Sequence, residues 1–149
     1  MKLCRSVIFG FFFIAFPRIC FGQEFNNPDQ AFLVALQSKK SVLLIFSGSD
    51  WCLPCEKLNR EIISDSAFKN FAAQNLVLIE ADFPQKIKLS KEQVLWNEKL
   101  AEEFNPDGIF PYLLLLNADK TIITSLDYVR YDSVHFIEEI NNAITLSGK

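Results

Sequence analysis

Three continuous apolar runs of strand length recur along this chain of 149 residues. They are Val42–Phe46, Leu76–Ile79 and Tyr112–Leu116. An apolar run without polar alternation fits a strand that is buried on both faces of a sheet. Such a strand needs a layer packed on each face, so these runs predict the centre of an α/β domain.

Segments with a helical pattern separate the apolar runs. Asn27 can cap a first helix, with Pro28 at its first position and Gln30 completing a capping box. Phe32, Ala35 and Leu36 would share the inner face of this helix.

Further helices are predicted over Leu53 to Ile63, from Asp65 or Ser66 through Phe71, from Ser90 through Phe104, and after Asp132. In the Leu53 to Ile63 helix, Cys55, Leu58 and Ile62 fall on one stripe. The helix after Ser90 would begin with a Ser90–Gln93 capping box and place Trp96, Leu100 and Phe104 in the core. Thr121–Ser125 follows a turn and predicts the second strand of a hairpin. The order predicts an α/β fold with a central mixed sheet, an antiparallel edge hairpin and helices on both faces.

Residues 1–22 differ in composition from the rest of the chain. Lys2 and Arg5 give a positive start, Val7–Phe16 is apolar, and no Asp or Glu occurs in the segment. This pattern is typical of a secretory signal peptide, with cleavage predicted between Gly22 and Gln23. An uncleaved membrane anchor is the alternative, but a spanning helix needs roughly 20 apolar residues.

Lipidation of Cys20 is a second alternative for this segment, although the preceding Pro17-Arg18-Ile19 matches a lipoprotein signal poorly. Cleavage would leave residues 23–149 as one domain, large enough for its own core. Three of the 15 basic residues and none of the 18 acidic residues would leave, so the remaining formal charge would be 12 minus 18, or −6. We therefore expect an exported protein, periplasmic or secreted, that binds no nucleic acid.

Cys52 and Cys55 are the only cysteines after residue 22, and they stand at a predicted strand-to-helix junction. The amides and dipole of a helix N-terminus stabilise an anion, so a thiolate there has a lowered pKa. We expect Cys52 at the exposed tip and Cys55 one turn inside, with the two sulfurs in bonding reach. Cys52 can attack a substrate disulfide, and Cys55 can then attack Cys52 and release the product. Pro54, near the first turn, costs no helical hydrogen bond.

Three other interpretations of the cysteine pair stay open. The pair could be a structural disulfide, although so short a loop stabilises little. It could hold zinc, but zinc usually takes four ligands and the chain offers one histidine, His135, which we expect to be a solvated surface residue. It could also be a chance placement of two core cysteines. The strand before the pair and the helix after it favour redox chemistry, with no metal and no cofactor.

Gly48–Cys55 and the following Lys57-Leu58 resemble the active site of the thioredoxin-like superfamily. Val77–Pro84 and Phe110–Leu115 resemble later landmarks of the same superfamily. The resemblance covers about residues 27 to 146 and is greatest to exported bacterial thioredoxin-like proteins and to the C-terminal domain of membrane disulfide reductases. It implies a thioredoxin fold for a thioredoxin-like domain over residues 23–149.

The resemblance also implies roles for individual residues. Cys52 and Cys55 would form the redox disulfide. The bond before Pro111 would be cis, and the backbone beside it would pair with an extended substrate chain. On this basis we expect Trp51, Pro54, Phe110 and Pro111 to contact the substrate.

Some positions depart from the superfamily pattern. Thioredoxins carry a buried acid in the strand before the motif, where this chain has Ile45 or Phe46. The proton of Cys55 would then pass to water, or Glu80 or Asp82 would assist.

Two later departures bear on substrate choice. Tyr112 follows the expected cis proline, where threonine is usual, and extra chain lies near Phe83 to Gln93. We therefore expect substrate choice to differ from that of a general thioredoxin.

The residues and the resemblance together predict a thiol–disulfide oxidoreductase that reduces protein disulfides. Oxidising relatives often have a histidine between the cysteines, whereas Leu53-Pro54 provides none, and Asp50 should oppose thiolate formation. The expected partners are a disulfide-containing protein substrate and a membrane or other thiol reductase as electron donor, with the protein a monomer. The alternatives are a disulfide oxidase or isomerase, and a non-catalytic thioredoxin-like binding module.

Overall fold

The computed structural model describes residues 27–129 and 132–148. The helices in these ranges are α1 (Pro28–Ser38), α2 (Leu53–Leu58), α3 (Ser66–Asn75), α4 (Lys91–Phe104) and α5 (Ser133–Ser147), and a π-helical segment, Asn59–Ile63, continues α2. The strands are β1 (Ser41–Ser47), β2 (Leu76–Asp82), β3 (Tyr112–Leu116) and β4 (Ile122–Leu126). The predicted signal peptide, residues 1–22, lies outside the described residues. None of the helices described is both long and apolar enough to cross a membrane.

The four strands form one mixed sheet in the order β2-β1-β3-β4. β1 pairs in parallel with β2 and antiparallel with β3, and β3 pairs antiparallel with β4. This confirms the predicted mixed sheet with its edge hairpin. The parallel part is a single pair, because Tyr112 at the start of β3 lies beside Phe46 near the end of β1.

Two apolar layers cover the two faces of the sheet, because successive β1 side chains point to opposite faces. Leu44 and Phe46 pack with α1 and α4 on one face. Leu43 and Ile45 pack on the other face with α2, the π-helical segment, α3 and α5. Six of the seven β1 residues are buried, which confirms the prediction from its continuous apolar run.

The first helix differs in detail from its prediction. Asn27 does cap α1, but its side chain accepts a hydrogen bond from the Asp29 amide at 2.7 Å rather than forming a box with Gln30. Leu36, expected on the inner face, is 61% exposed. The buried positions are Ala31, Phe32 and Ala35.

The fourth helix begins as predicted, since the Ser90 and Gln93 side chains each bond the other residue's backbone amide. Leu100 and Phe104 are buried, whereas Trp96 is only half-buried. The prediction of Trp96 as a core residue was therefore wrong.

Two element boundaries also moved. α3 runs on to Asn75 rather than ending near Phe71, and β4 starts at Ile122.

The predicted helix from Leu53 to Ile63 is continuous, but its second half is π-helical. The Ser64 amide donates to the Asn59 carbonyl at 2.8 Å, the five-residue spacing of a π-helix. The predicted apolar stripe of Cys55, Leu58 and Ile62 is buried. This stripe fixes the helix that carries the cysteines against the sheet.

We predict that Leu58→Ala lowers the free energy of unfolding by about 2–5 kcal/mol, because Leu58 is 2% exposed and its loss leaves a cavity. Leu53→Ala is the matched control. It removes the same atoms from the same helix, but Leu53 is 74% exposed, so the change should stay within about 0.5 kcal/mol. Urea denaturation of the oxidised protein measures both values. Equal losses would contradict the anchoring role of Leu58.

Candidate active site

The end of β1 leads directly into the cysteine motif. After Ser47 the chain turns, and the amides of Trp51 and Cys52 both donate to the Gly48 carbonyl, at 3.2 and 2.9 Å. A side chain at residue 48 would overlap the Trp51 indole, so only glycine lets the ring lie over this turn. The turn places Cys52 at the N-cap of α2.

Cys52 and Cys55 are joined by a disulfide with an S–S distance of 2.04 Å. The Cys55 amide also donates to the Cys52 sulfur at 3.2 Å, so Cys52 caps its own helix. The prediction that Cys52 lies at an exposed tip was wrong. Cys52 is 4% exposed and Cys55 3%, because the capping conformation turns the Cys52 side chain inward. The exposed rim is formed instead by the neighbouring Trp51 and Leu53.

An aromatic cluster lies beside the motif. The Trp51 ring meets the Phe110 ring edge-on with centroids 5.4 Å apart, and Phe110 meets Phe83 in the same way at 5.5 Å. The Phe110–Pro111 peptide bond is cis, as the resemblance implied. The structure thus brings together Trp51 and Phe110, two of the predicted substrate contacts, with Pro111 bonded to the second.

Asn105 holds the chain that leads to this cluster, a role that the sequence did not reveal. It is 3% exposed, and its side-chain amide bonds both the amide and the carbonyl of Ile109, each at 2.9 Å. A buried amide with both groups satisfied fixes the approach to Phe110.

Asp50 anchors the extra loop that follows β2. Its carboxylate accepts hydrogen bonds from the amides of Gln85, Lys86 and Ile87, at 2.8, 2.6 and 3.0 Å. These bonds, the Gln85 bond first, lower the pKa of Asp50. The sequence predicts only that Asp50 opposes a Cys52 thiolate. Its role as the anchor of the loop could not be predicted, because the amides that it binds lie about 35 residues away in sequence.

Three more hydrogen bonds fasten β2 and this loop to the motif. Ser49 donates to the Asp82 carboxylate from its amide at 2.8 Å and from its hydroxyl at 2.6 Å. The Trp51 indole donates to the Phe83 carbonyl at 2.7 Å. The carboxylate of Asp82 is therefore engaged by Ser49.

Glu80 lies beside Ile45 in the register of β1 and β2, so it shares the sheet face on which α2 packs. Its side chain is exposed to solvent at the edge of the sheet. Partial burial of its carboxyl group nevertheless raises the pKa of Glu80. Asp82 raises that pKa further, and a Ser47 hydrogen bond opposes the shift.

Pro54 and Tyr128 meet at the first turn of α2. The Tyr128 hydroxyl donates to the Pro54 carbonyl at 3.2 Å. Tyr128 follows β4, and nothing in its local sequence points to the cysteine motif.

His135 lies at the surface in the first turn of α5, as predicted. Its Nδ1 is 2.9 Å from the Asp132 carboxylate, and this hydrogen bond raises the pKa of His135. Across residues 27–129 and 132–148, no three His, Cys, Asp or Glu side chains group closely enough to hold a metal ion.

Comparisons with known proteins agree with this geometry. The family described as "Thioredoxin-like" matches residues 25–118. A curated relative, "Disulfide bond reductase DsbH" of Chlamydia pneumoniae, is 32% identical over 123 residues, which cover 83% of this chain and 74% of the relative.

Solved structures give the same result. One titled "DsbH Oxidoreductase" superposes with a TM-score of 0.75 at 29% identity, covering 80% of this chain and 83% of that one. The oxidised C-terminal domain of DsbD from Neisseria meningitidis shares the fold with a TM-score of 0.52 at 18% identity, covering 78% of this chain and 91% of that domain.

The fold, the cysteine pair and these matches define the class of protein. The chain belongs to the thioredoxin-like family. Within it, the chain is similar to DsbH and is a thiol–disulfide oxidoreductase with a Cys52–Cys55 pair that can form a disulfide.

We predict that Asp50→Ala frees the loop and speeds exchange of the Gln85, Lys86 and Ile87 amides, because their shared acceptor is removed. Asp107→Ala, at an exposed turn, is the control and should leave those amides unchanged. Hydrogen exchange followed by NMR measures both variants. Wild-type protection at these amides in Asp50→Ala would show that the carboxylate is not the anchor.

The same loop should respond to acid in the wild-type protein. The pKa of Asp50 in the folded state lies below its ordinary value of 3.8. The anchor is therefore complete above that value and is lost as the pH falls through the lowered folded-state pKa. NMR shifts of the three loop amides, followed from pH 6 downward, should move together only in this acid range.

Proposed function

We propose that this protein is an exported reductase of protein disulfides. The observation that carries the proposal is the Cys52–Cys55 disulfide at the start of α2, where the Cys55 amide points at the Cys52 sulfur. The Cys55 N–H that donates to the Cys52 sulfur in the oxidised form can also stabilise the Cys52 thiolate in the reduced form.

In the proposed reaction the reduced protein starts with two thiols. The Cys52 thiolate attacks one sulfur of the substrate disulfide, a mixed disulfide forms, and the other substrate sulfur leaves and takes up a proton. The Cys55 thiolate then attacks the Cys52 sulfur, which releases the second substrate thiol and closes the Cys52–Cys55 disulfide. The substrate is reduced and the protein is oxidised, so a donor thiol must restore the pair.

The direction of the reaction is supported by two observations. The relative from Chlamydia pneumoniae is named a disulfide bond reductase. Leu53-Pro54 places no histidine between the cysteines, so this motif lacks the imidazolium that would stabilise a thiolate and favour an oxidant.

The substrate would meet the site over the exposed rim. Trp51 is 39% exposed and Leu53 74%, and both adjoin the disulfide. Pro54, Phe110 and Pro111 complete the proposed contact surface, with extended substrate backbone pairing beside Pro111. A rim of this composition suits an unfolded or extended chain around a disulfide.

The proposed partners and location follow from the same function. The substrate is a disulfide-containing protein, and a membrane or other thiol reductase supplies electrons to a monomer. Persistent substrate disulfides occur in exported compartments, which agrees with the predicted signal peptide over residues 1–22.

We predict that Cys52→Ser abolishes turnover, because a serine hydroxyl is too weak a nucleophile to attack a disulfide sulfur. Cys55→Ser is the matched control: it should stop turnover but accumulate a mixed disulfide with the substrate, since resolution is lost. Insulin reduction with dithiothreitol measures turnover. Non-reducing electrophoresis detects the trapped complex after the reduced variant, freed of dithiothreitol, is mixed with insulin. Wild-type turnover no faster than that of Cys52→Ser or of dithiothreitol alone would sink the redox proposal and favour a binding module.

The direction is tested by the reduction potential of the Cys52–Cys55 pair, measured by equilibration with glutathione. A reductase should give a value near or below about −230 mV. A value above about −150 mV would instead identify an oxidant or isomerase.

Export is tested separately. Expression of the full chain in a Gram-negative host should give a periplasmic protein whose mass begins at Gln23. A double variant, Lys2→Glu with Arg5→Glu, removes the positive charges at the start of the segment. It should stay in the cytoplasm with residues 1–22 intact. Periplasmic protein that retains residues 1–22 would contradict cleavage.

A further inference from the structure

The Tyr128 hydroxyl contacts the cysteine motif but has no part in the thiol–disulfide exchange described above. Tyr128 is half-buried and packs against the core layer that includes Leu58 and Phe136. Its hydroxyl donates to the Pro54 carbonyl at 3.2 Å across 74 residues of sequence. Burial, then the charges of Asp127 and Glu61, raises the pKa of Tyr128, so the phenol keeps its proton at neutral pH.

The Pro54 carbonyl and the Cys55 N–H belong to one peptide group. Its oxygen accepts from Tyr128, and its N–H donates to the Cys52 sulfur at 3.2 Å. The three groups therefore form a chain that runs from phenol to peptide to sulfur. A hydrogen bond on the carbonyl polarises the peptide and strengthens its N–H as a donor, by roughly 10–30% per bond.

We propose that Tyr128 is a positioning residue that stabilises the Cys52 thiolate through the Pro54–Cys55 peptide. The inference rests on the proposed function only in taking Cys52 as the attacking sulfur. In the reduced protein the thiolate would receive the same N–H that the disulfide sulfur receives now. Tyr128 does not touch the reacting atoms, so its effect passes entirely through the peptide.

Acidic side chains surround this series of hydrogen bonds, so an uncharged donor is important for stabilising a thiolate. Glu61 and Asp127 face the phenol, and Glu56 lies in the first turn of α2. Lys57 is 3.9 Å from Glu61, where both side chains are about half exposed and solvent weakens the pair. Asp50, two residues before Cys52, is a further negative charge, although loop amides bind its carboxylate. Lys86 adds a cation near the motif, with its Nζ 3.3 Å from the Asp50 carbonyl, but the acidic neighbours oppose a thiolate and leave a part for the polarised peptide N–H in stabilising it.

The test is Tyr128→Phe, which removes one oxygen and leaves the ring. In the reduced full-length protein the Cys52 pKa should rise by about 0.2–0.6 units, given the size of the polarisation and of hydrogen bonds to charged groups. That rise lowers the thiolate population about 1.5- to 4-fold at a pH below the pKa. The thiolate absorbance at 240 nm gives the pKa, and the rate of alkylation by iodoacetamide gives the population.

Tyr112→Phe is the matched control, because its ring stacks on Phe46 and its hydroxyl does not contact the Pro54 peptide. It should leave the Cys52 pKa at the wild-type value. An unchanged Cys52 pKa in folded Tyr128→Phe would overturn the inference, even if the melting temperature falls, because a purely structural hydroxyl would affect stability alone.

A second measurement avoids dependence on how well Tyr128→Phe folds. Labelling all tyrosines with 3-fluorotyrosine makes the phenol a stronger donor, so the Cys52 pKa should fall below that of unlabelled protein. No downward shift at a pH where the fluorophenol is protonated would also overturn the inference. These readouts need no substrate: loss of the pKa effect with intact turnover rejects the Tyr128 role alone, whereas turnover in Cys52→Ser rejects the proposed function alone.

Discussion

Strand β1 is paired on both edges and buried on both faces, and the position of the site depends on it. Its neighbours β2 and β3 fix it laterally, and the two apolar layers fix it from above and below. The motif begins one residue after the strand ends, so the Gly48 turn and the α2 N-cap start from a rigid point. A helix placed in this way can present one peptide N–H to one sulfur with little freedom to move.

The chain from residue 82 to residue 89 is held to this rigid point by side chains of the motif itself. Ser49, Asp50 and Trp51 are consecutive: Ser49 bonds Asp82 at the end of β2, and Asp50 and Trp51 bond the loop that follows. The loop and the motif therefore form one unit, although about 35 residues separate them. A substrate that contacts Trp51 would meet a surface whose shape is partly set by this loop, which agrees with the expectation that substrate choice differs from that of a general thioredoxin.

Much of the fold could be predicted from local pattern, because β1 and the helix caps are local features. The apolar run around Leu44 and the capping box of Ser90 and Gln93 each depend on a few adjacent residues. The errors arose where tertiary contacts decide. Leu36 fits a helical face that the sheet does not cover, and burial of Cys52 results from its capping conformation and its bond to Cys55. The cysteine pair was recognisable from spacing, whereas Asn105 and Tyr128 act through contacts that no short window contains.

The absence of an acid at Ile45 and Phe46 changes how the motif must work. A buried carboxylate would have given the second cysteine a nearby proton acceptor, but both positions carry apolar side chains packed in the two layers. Glu80 lies beside Ile45 with a raised pKa, so it can hold or accept a proton nearer neutral pH than an ordinary glutamate. Under the proposed function, the Cys55 N–H would stabilise charge at the first sulfur, and Glu80 on the neighbouring strand or water would accept the proton of the second. If Glu80 is that acceptor, the two tasks lie on different elements, since Tyr128 would act through a peptide of α2 and Glu80 stands on β2.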